Sequence, residues 1–441
     1  MGHLVGKDVY RELGRKIDGL TLRAPWSETF HAILKELYTA EEADLLVRMP
    51  FGPVTIDRLE VMTARPRAEL ERILEGLCRK GLVLDYHSGA GYRYLPSPLA
   101  VGIFEFTMMR TDGGVDLKTC AKLFHDYFES GDVWQANLGN GQQLQMMRTV
   151  PHEGTIEFQE HAEVLDYEKA VAIVESQEQF AVGICSCRHE KSHMGEKTCD
   201  VPLETCVSLG RAAETLIRRK LAKPVSKPEM LERLAQAREM KLVMNADNVR
   251  RDVGFMCLCC GCCCNMLLGI SRFGYPHTLV TSNYLARAED AACDGCLKCK
   301  KACPVGAVSI ERLAAPAGNK KARPAVDDGI CIGCGVCALA CPTSAMKLRP
   351  RPQRIFYPED TFERVILQCL EVGTLQNQMF GDPDRLSHQF LRAFVGGFLK
   401  LPAVKKALVS DALRSKFLSS LKSAAGVRKP PSSNPGVVTT L

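Results

Sequence analysis

No run of about 18 uncharged apolar residues occurs anywhere in this 441-residue sequence, which excludes a hydrophobic spanning helix. The first residues, MGHLVGKDVYRELGRKIDG, have no apolar h-region, so a soluble, unexported, cytoplasmic chain is expected. Gly2 alone would suit N-myristoylation, but Gly6 stands where Ser or Thr is needed. Walker A and G-x-G-x-x-G sequences are also missing, which leaves no support for a built-in nucleotide or flavin site. With 46% hydrophobic residues, ordinary for a globular protein, the length predicts two to four domains.

Cysteine is abundant. There are 21, crowded into metal-ligand spacings, and this predicts a reducing compartment and no disulfide framework. Residues 293 to 349 repeat one pattern, CDGCLKCKKACPVGAVSI and then CIGCGVCALACPTSAMKL, with the second copy 38 positions after the first. Each copy is C-x2-C-x2-C-x3-C-P, the spacing that holds iron–sulfur cubanes. Three thiolates two residues apart wrap one compact cluster, while the fourth, before Pro304 or Pro342, ligates the other. One cluster is then expected to take Cys293, Cys296, Cys299 and Cys341, and the other Cys331, Cys334, Cys337 and Cys303. Gly295 and Gly333 stand at matching loop positions, where a side chain would obstruct backbone amides near the cluster. Ala302/Ala340, Ala307/Ala345 and Ile310/Leu348 extend the repeat beyond its ligands. A pair of structural zinc sites is the bland alternative, but four cysteines with a trailing proline, given twice, exceed what zinc needs. The stretch resembles the bacterial two-cluster ferredoxins over about 57 residues, with all eight ligands in place. The resemblance implies two 4Fe-4S clusters and electron transport.

Two further groups lie upstream. GICSCRHEKSHMGEKTCDVPLETC supplies Cys185, Cys187, Cys199 and Cys206 in a loop that also carries His189 and His193, followed by a helix expected from Ser208 to Lys220. These thiols suit one more iron–sulfur cluster or a zinc tetrahedron, with a mixed Cys/His zinc site also open. CLCCGCCCN supplies Cys257, Cys259, Cys260, Cys262, Cys263 and Cys264, too many for one cubane. An extended segment would face Cys257, Cys259 and Cys263 one way and Cys260, Cys262 and Cys264 the other; a helix would group Cys260, Cys263 and Cys264. Together the ten thiols suffice for two clusters if the segments meet, for one cluster plus a reactive dithiol, or for a non-cubane centre that binds substrate. Cys78, Cys120 and Cys369 fall on helical stretches and read as buried small side chains.

The remaining segments suggest an α+β, multidomain chain. Residues 1–97 read as a winged-helix domain: helices over 28–38, 40–49, TIDRLEVMTA and PRAELERILEGLCRKG, then two strands in LVLDYHSGAGYRYLP. The candidate recognition helix mixes Arg67, Arg72, Arg79 and Lys80 with Glu69, Glu71 and Glu75. That is not the one-sided basic footprint of a groove reader, so docking or dimerisation is favoured over nucleic acid. Residues 98–180 form an α/β connecting region in which Phe104, Phe106, Met108, Met109 and Trp134 read as core, and His125, His152 and His161 as packed or surface histidines. Residues 181–290 are the cysteine-rich region, where SKPEMLERLAQAREM opens on a capping box of Ser226 and Glu229. Residues 291–349 are the two-cluster unit, 350–424 amphipathic helices, and 425–441 a disordered tail. From Lys400 onward eight Lys/Arg face Asp411 alone, which would suit peripheral contact with a membrane surface or an acidic partner, though a solvated helix face is commoner. The layout over roughly 28 to 349 resembles multi-cluster ferredoxin-like proteins of anaerobic bacteria that carry an N-terminal winged helix.

Between Ala291 and Pro350 nine Lys/Arg stand against four Asp/Glu, which should raise cluster potentials and favour an acidic docking partner. The leading expectation is an electron-transfer protein serving a reductase, dehydrogenase or flavoprotein. The alternatives are an oxidoreductase with a substrate-accessible centre at Cys257–Cys264 and, more weakly, a redox-sensing DNA-binding regulator.

Overall fold

The structure is a computed structural model; it describes residues 8–424 apart from 90, 144, 158–164, 318–319, 381–385, 400 and 410. His161 and the tail over 425–441 lie outside the described residues. Helices and sheet are mixed throughout, as an α+β chain requires, and among the described residues no helix is long and apolar enough to cross a membrane.

The N-terminal part packs helices Val9–Asp18, Glu28–Leu37, Ala40–Arg48, Ile56–Thr63 and Arg67–Lys80 around Leu13, Ile17, Phe30, Leu45, Leu70 and Leu77, all 0% exposed. Ser27, Thr39 and Thr55 cap three of these helices through their hydroxyls, each accepting a backbone N–H. A hairpin follows, β1 (Val83–His87) against β2 (Tyr92–Pro96). It is not a free wing. Arg218 and Arg219, from the end of helix Gly210–Arg218, reach Asp85 at 2.5 and 2.6 Å, and Arg219 also reaches Glu75 at 2.8 Å. Helix Val9–Asp18 has a sequence signal in its Asp8 cap and its apolar spacing of Val9, Leu13 and Ile17, yet it lies outside the helices expected from the sequence.

A six-stranded, wholly antiparallel sheet forms the middle of the molecule, built from β3 (Met147–Val150), β4 (Phe180–Ile184), β5 (Glu204–Leu209), β6 (Ala222–Pro224), β7 (Val243–Asp247) and β8 (Phe255–Cys259) in the order β3-β7-β8-β5-β4-β6. Strand periodicity divides its side chains between two faces. Phe180, Val182, Val207, Leu209, Met244, Ala246, Met256 and Leu258 share one apolar cluster with Met230 and Leu234 of helix Lys227–Glu239. The residues between them, Cys206, Asn245, Cys257 and Cys259, therefore take the other face. Ser226 and Glu229 form the expected capping box at the start of that helix. The stretch expected to turn helical at Ser208 is still strand there. Thr205 and Val207 favour β, Ser208 pairs with Phe255, and the helix begins only at Gly210.

β9 (Tyr284–Ala288) pairs antiparallel with β12 (Met346–Pro350), and between them β10 (Val308–Ala317) pairs with β11 (Lys320–Val326). Helix Thr361–Val372 and helices Leu386–Leu399, Pro402–Val409 and Asp411–Ala424 complete the chain. Several of the basic groups in this last part turn inward: Lys422 sits 3.0 Å from Asp360 and 2.9 Å from Glu363, Lys405 donates to the Glu371 carbonyl, and Arg414 lies over Phe356. Cys78, Cys120 and Cys369 are buried on helices.

Candidate metal centre

Two short loops carry the duplicated motif, and the fold closes them crosswise. Cys303, Cys331, Cys334 and Cys337 line one cavity; Cys293, Cys296, Cys299 and Cys341 line a second. The first, inner quartet is the more enclosed, with Cys331, Cys334 and Cys337 at 6–7% exposure, while Cys296 of the outer quartet is exposed. Gly333 has φ +65°, and a Cβ there would collide with Ser282 Oγ and the Tyr284 carbonyl, so the backbone passes where no side chain fits. The inner loop is also tied to the segment after β3, since His152 N–H donates to the Cys334 carbonyl at 3.1 Å. Burial pushes the thiols of Cys331, Cys334 and Cys337 up. Burial opposes ionisation of Cys341 too, but hydrogen bonds from the Met346 N–H and from Thr343 outweigh it and hold that thiol below its ordinary value. Four thiols around each cavity, with backbone held clear of the inner one at Gly333, is a donor set that fits a cubane.

Residues 292–345 match the family model of the 4Fe-4S dicluster domain. The chain thus carries an iron–sulfur domain. No curated protein and no solved structure matches it.

Upstream of the dicluster domain the ten remaining clustered cysteines meet, but in groups that cut across both sequence segments. Cys206 lies directly opposite Cys257 in the β5–β8 ladder, and Cys185 follows β4, its N–H donating to the Leu203 carbonyl at 2.7 Å. Cys187 lies in the first turn of helix Ser186–Met194, and Cys264 caps helix Asn265–Ser271. Neighbouring thiols perturb one another's ionisation along a string that runs Cys185, Cys187, Cys264, Cys259, Cys257 and Cys206. Within this string Cys259 is pushed down to about 5, chiefly by the thiols of Cys257 and Cys264 and against its burial, with Asn245 adding to the effect.

The other four form a separate group. Cys199 Sγ is 3.5 Å from Cys260 and 3.9 Å from Cys263, and Cys262 is 3.6 Å from Cys260 and 3.4 Å from Cys263. Cys260 is pushed down to about 4, first by its hydrogen bond with Cys263 and, against burial, by the Arg188 guanidinium; Cys263 is pushed up by the same bond. Neither expected division of CLCCGCCC holds. The strand stops at Cys259 and residues 260–264 turn into a helix, so alternation covers only Cys257 and Cys259. His189 and His193 are on a helix, not in a loop. Their Nε2 atoms face each other at 3.1 Å, and His189 Nδ1 lies 2.7 Å from the Met108 carbonyl, so neither joins the thiols.

Charged groups that sequence reasoning missed support this region. Arg188, 1% exposed, contacts Thr205 Oγ1 and donates to the Leu258 carbonyl at 2.5 Å. Its burial disfavours the charge, but the thiols of Cys185, Cys260 and Cys259 outweigh that and raise it. Glu190, fully buried, lies 3.1 Å from Lys191 Nζ and 3.0 Å from His125 Nδ1, and accepts from Asn265 Nδ2 at 3.1 Å. His125, expected to be a packed or surface residue, is therefore part of a buried ion group. His152 is packed, 2% exposed, with Nε2 2.8 Å from the Leu242 carbonyl.

The dicluster domain meets the upstream thiols at one close backbone contact. A Cβ on Gly261 would lie 3.1 Å from both the Cα and the carbonyl oxygen of Pro304. Gly261 stands between Cys260 and Cys262, and Pro304 follows Cys303 of the inner quartet.

Proposed function

We propose that this chain relays single electrons between a docked oxidoreductase and its ten-thiol region, through clusters held by Cys293, Cys296, Cys299 and Cys341 and by Cys331, Cys334, Cys337 and Cys303. The observation that supports this reading best is the contact of Gly261 with Pro304, which brings the residue between Cys260 and Cys262 against the residue that follows Cys303. When bound, the cubanes supply one-electron couples. The protein's part is to hold them in sequence from an exposed outer quartet to an enclosed inner one, and to keep water from the latter.

Lys298, Lys300 and Lys301 are exposed beside the outer quartet, which supports docking of an acidic reductase, dehydrogenase or flavoprotein there. Reduction by such a partner is expected to slow on the order of tenfold between about 10 and 150 mM salt, as the screening length falls from about 30 to 8 Å. A rate independent of ionic strength, measured by stopped flow, would remove the electrostatic part of the proposal.

The N-terminal helices and hairpin suit a winged-helix docking or dimerisation unit. Arg67 pairs with Asp57 at 2.6 Å and Glu71 at 3.1 Å, Arg72 with Glu41 at 2.6 Å and Lys80 with Glu42 at 2.7 Å, so these cations are already matched and offer little to phosphate. The burial of Cys259, Cys263 and Cys264 likewise weighs against a substrate-accessible centre. The direct test of the relay is Gly261→Ala. Its methyl requires Pro304 to give by a few tenths of an ångström, and electron equilibration between the dicluster clusters and the upstream region after pulse reduction should slow measurably, with cluster content unchanged. An unchanged rate at full metal content would overturn the route.

A further inference from the structure

The number of metal ions a set of thiolates can hold is written in the spacing of their sulfurs. Around a single tetrahedral ion with metal–sulfur bonds of about 2.3 Å, paired sulfurs stand about 3.8 Å apart. Around a cubane each thiolate is on a different iron and points outward from its own corner, so the sulfurs are spread by the body of the cube.

Both regimes occur in this chain. Among the described residues no three thiols of either dicluster quartet lie within 4.8 Å of one another. By contrast Cys199, Cys260, Cys262 and Cys263 have all four Sγ atoms within 4.8 Å of one another, the sole such group of Cys, His, Asp or Glu among the described residues. Four of its sulfur pairs measure 3.4, 3.5, 3.6 and 3.9 Å, close to the edge of a one-ion tetrahedron and too tight for a cube. A second observation points the same way. Four thiolates on one divalent ion carry a net charge of about −2, and the buried Arg188 guanidinium, which also feels Cys185 of the other group, answers Cys260 here, with its Nε lacking any hydrogen-bond partner among the described residues.

We infer that Cys199, Cys260, Cys262 and Cys263 bind a single soft ion, zinc or iron, in a tetrahedral thiolate site separate from any iron–sulfur cluster. The four-sulfur donor set suits both ions. The site joins the loop carrying Cys199 to the turn that carries Gly261. The ion thereby pins the turn that meets Pro304, while the string of Cys185, Cys187, Cys206, Cys257, Cys259 and Cys264 remains for other chemistry. This inference does not depend on the relay, because a structural ion would sit here whether or not electrons pass.

The test uses the full chain prepared without oxygen, with zinc, iron and acid-labile sulfide counted in the native protein and in the Cys262→Ser/Cys263→Ser variant. The expected result is loss of about one ion per chain, zinc or iron, with labile sulfide and the reduced dicluster EPR signal unchanged. If the ion is iron, one Mössbauer component of thiolate-bound iron without sulfide should vanish with it. Loss of about four irons together with about four sulfides would show a cubane and overturn the inference. Loss of no metal would overturn it equally. Should the double variant not fold, Cys199→Ser serves, because Cys199 lies on a partly exposed loop. It is expected to release the same single ion to a chelator while sulfide stays constant, and retention of that ion would count against the site.

Discussion

Cys334→Ser should cost the protein about four irons and four labile sulfides per chain and stop electron passage into the upstream region. Cys334 lines the inner cavity at 7% exposure, with Cys331, Cys337 and Cys303 around the same space. A serine hydroxyl is a poor match for a soft iron site. Because its backbone carbonyl still accepts the His152 N–H, the loop itself should persist. The outer quartet shares no thiol with this cavity, so a partner should still reduce the outer cluster. The measurement is pulse reduction followed by EPR and optical change in each region. Continued full throughput, at a confirmed loss of iron, would end the relay model.

Glu190→Ala should destabilise the fold by about 3–5 kcal/mol. The carboxylate is fully buried, and its removal leaves Lys191, 1% exposed, beside His125 with only Glu196 at 3.6 Å to answer its charge. Asn265 also loses the acceptor of its Nδ2 hydrogen bond, one residue from Cys264. The cost is mostly that of stranding a buried ammonium, so Glu190→Ala/Lys191→Met should recover a large part of it. Denaturant midpoints compared at equal metal content read this out. If the double variant is no more stable than the single one, the buried pair is not what holds this region.

The iron–sulfur repeat was legible in the sequence because its information is local. Eight cysteines, two prolines and the glycines at 295 and 333 specify loops whose geometry hardly depends on the rest of the chain. The ten upstream cysteines behave differently. Which thiols meet depends on the β5–β8 register that sets Cys206 opposite Cys257, and on the point where strand becomes turn after Cys259. A shift of one residue in either would regroup the whole set. Ser208 was read as the start of a helix that begins only at Gly210, and it is the pairing of Ser208 with Phe255 that keeps it in the strand. The partner of Glu190 was invisible for a related reason: His125 and Glu190 are 65 positions apart and meet only when two helices pack.

The graded burial of the dicluster thiols sets an order of damage in air. Thiolate sulfur oxidises according to its access to the oxidant. In the outer quartet Cys296 is exposed, Cys293 and Cys341 are half-buried and only Cys299 is buried, whereas in the inner one Cys331, Cys334 and Cys337 are nearly sealed and only Cys303 is half-buried. Oxygen therefore reaches the outer quartet first, at the same face through which a partner would deliver charge. On the proposed relay, the outer quartet would also act as a fuse: on exposure to air it would open before the enclosed quartet is harmed, isolating the interior from further exchange.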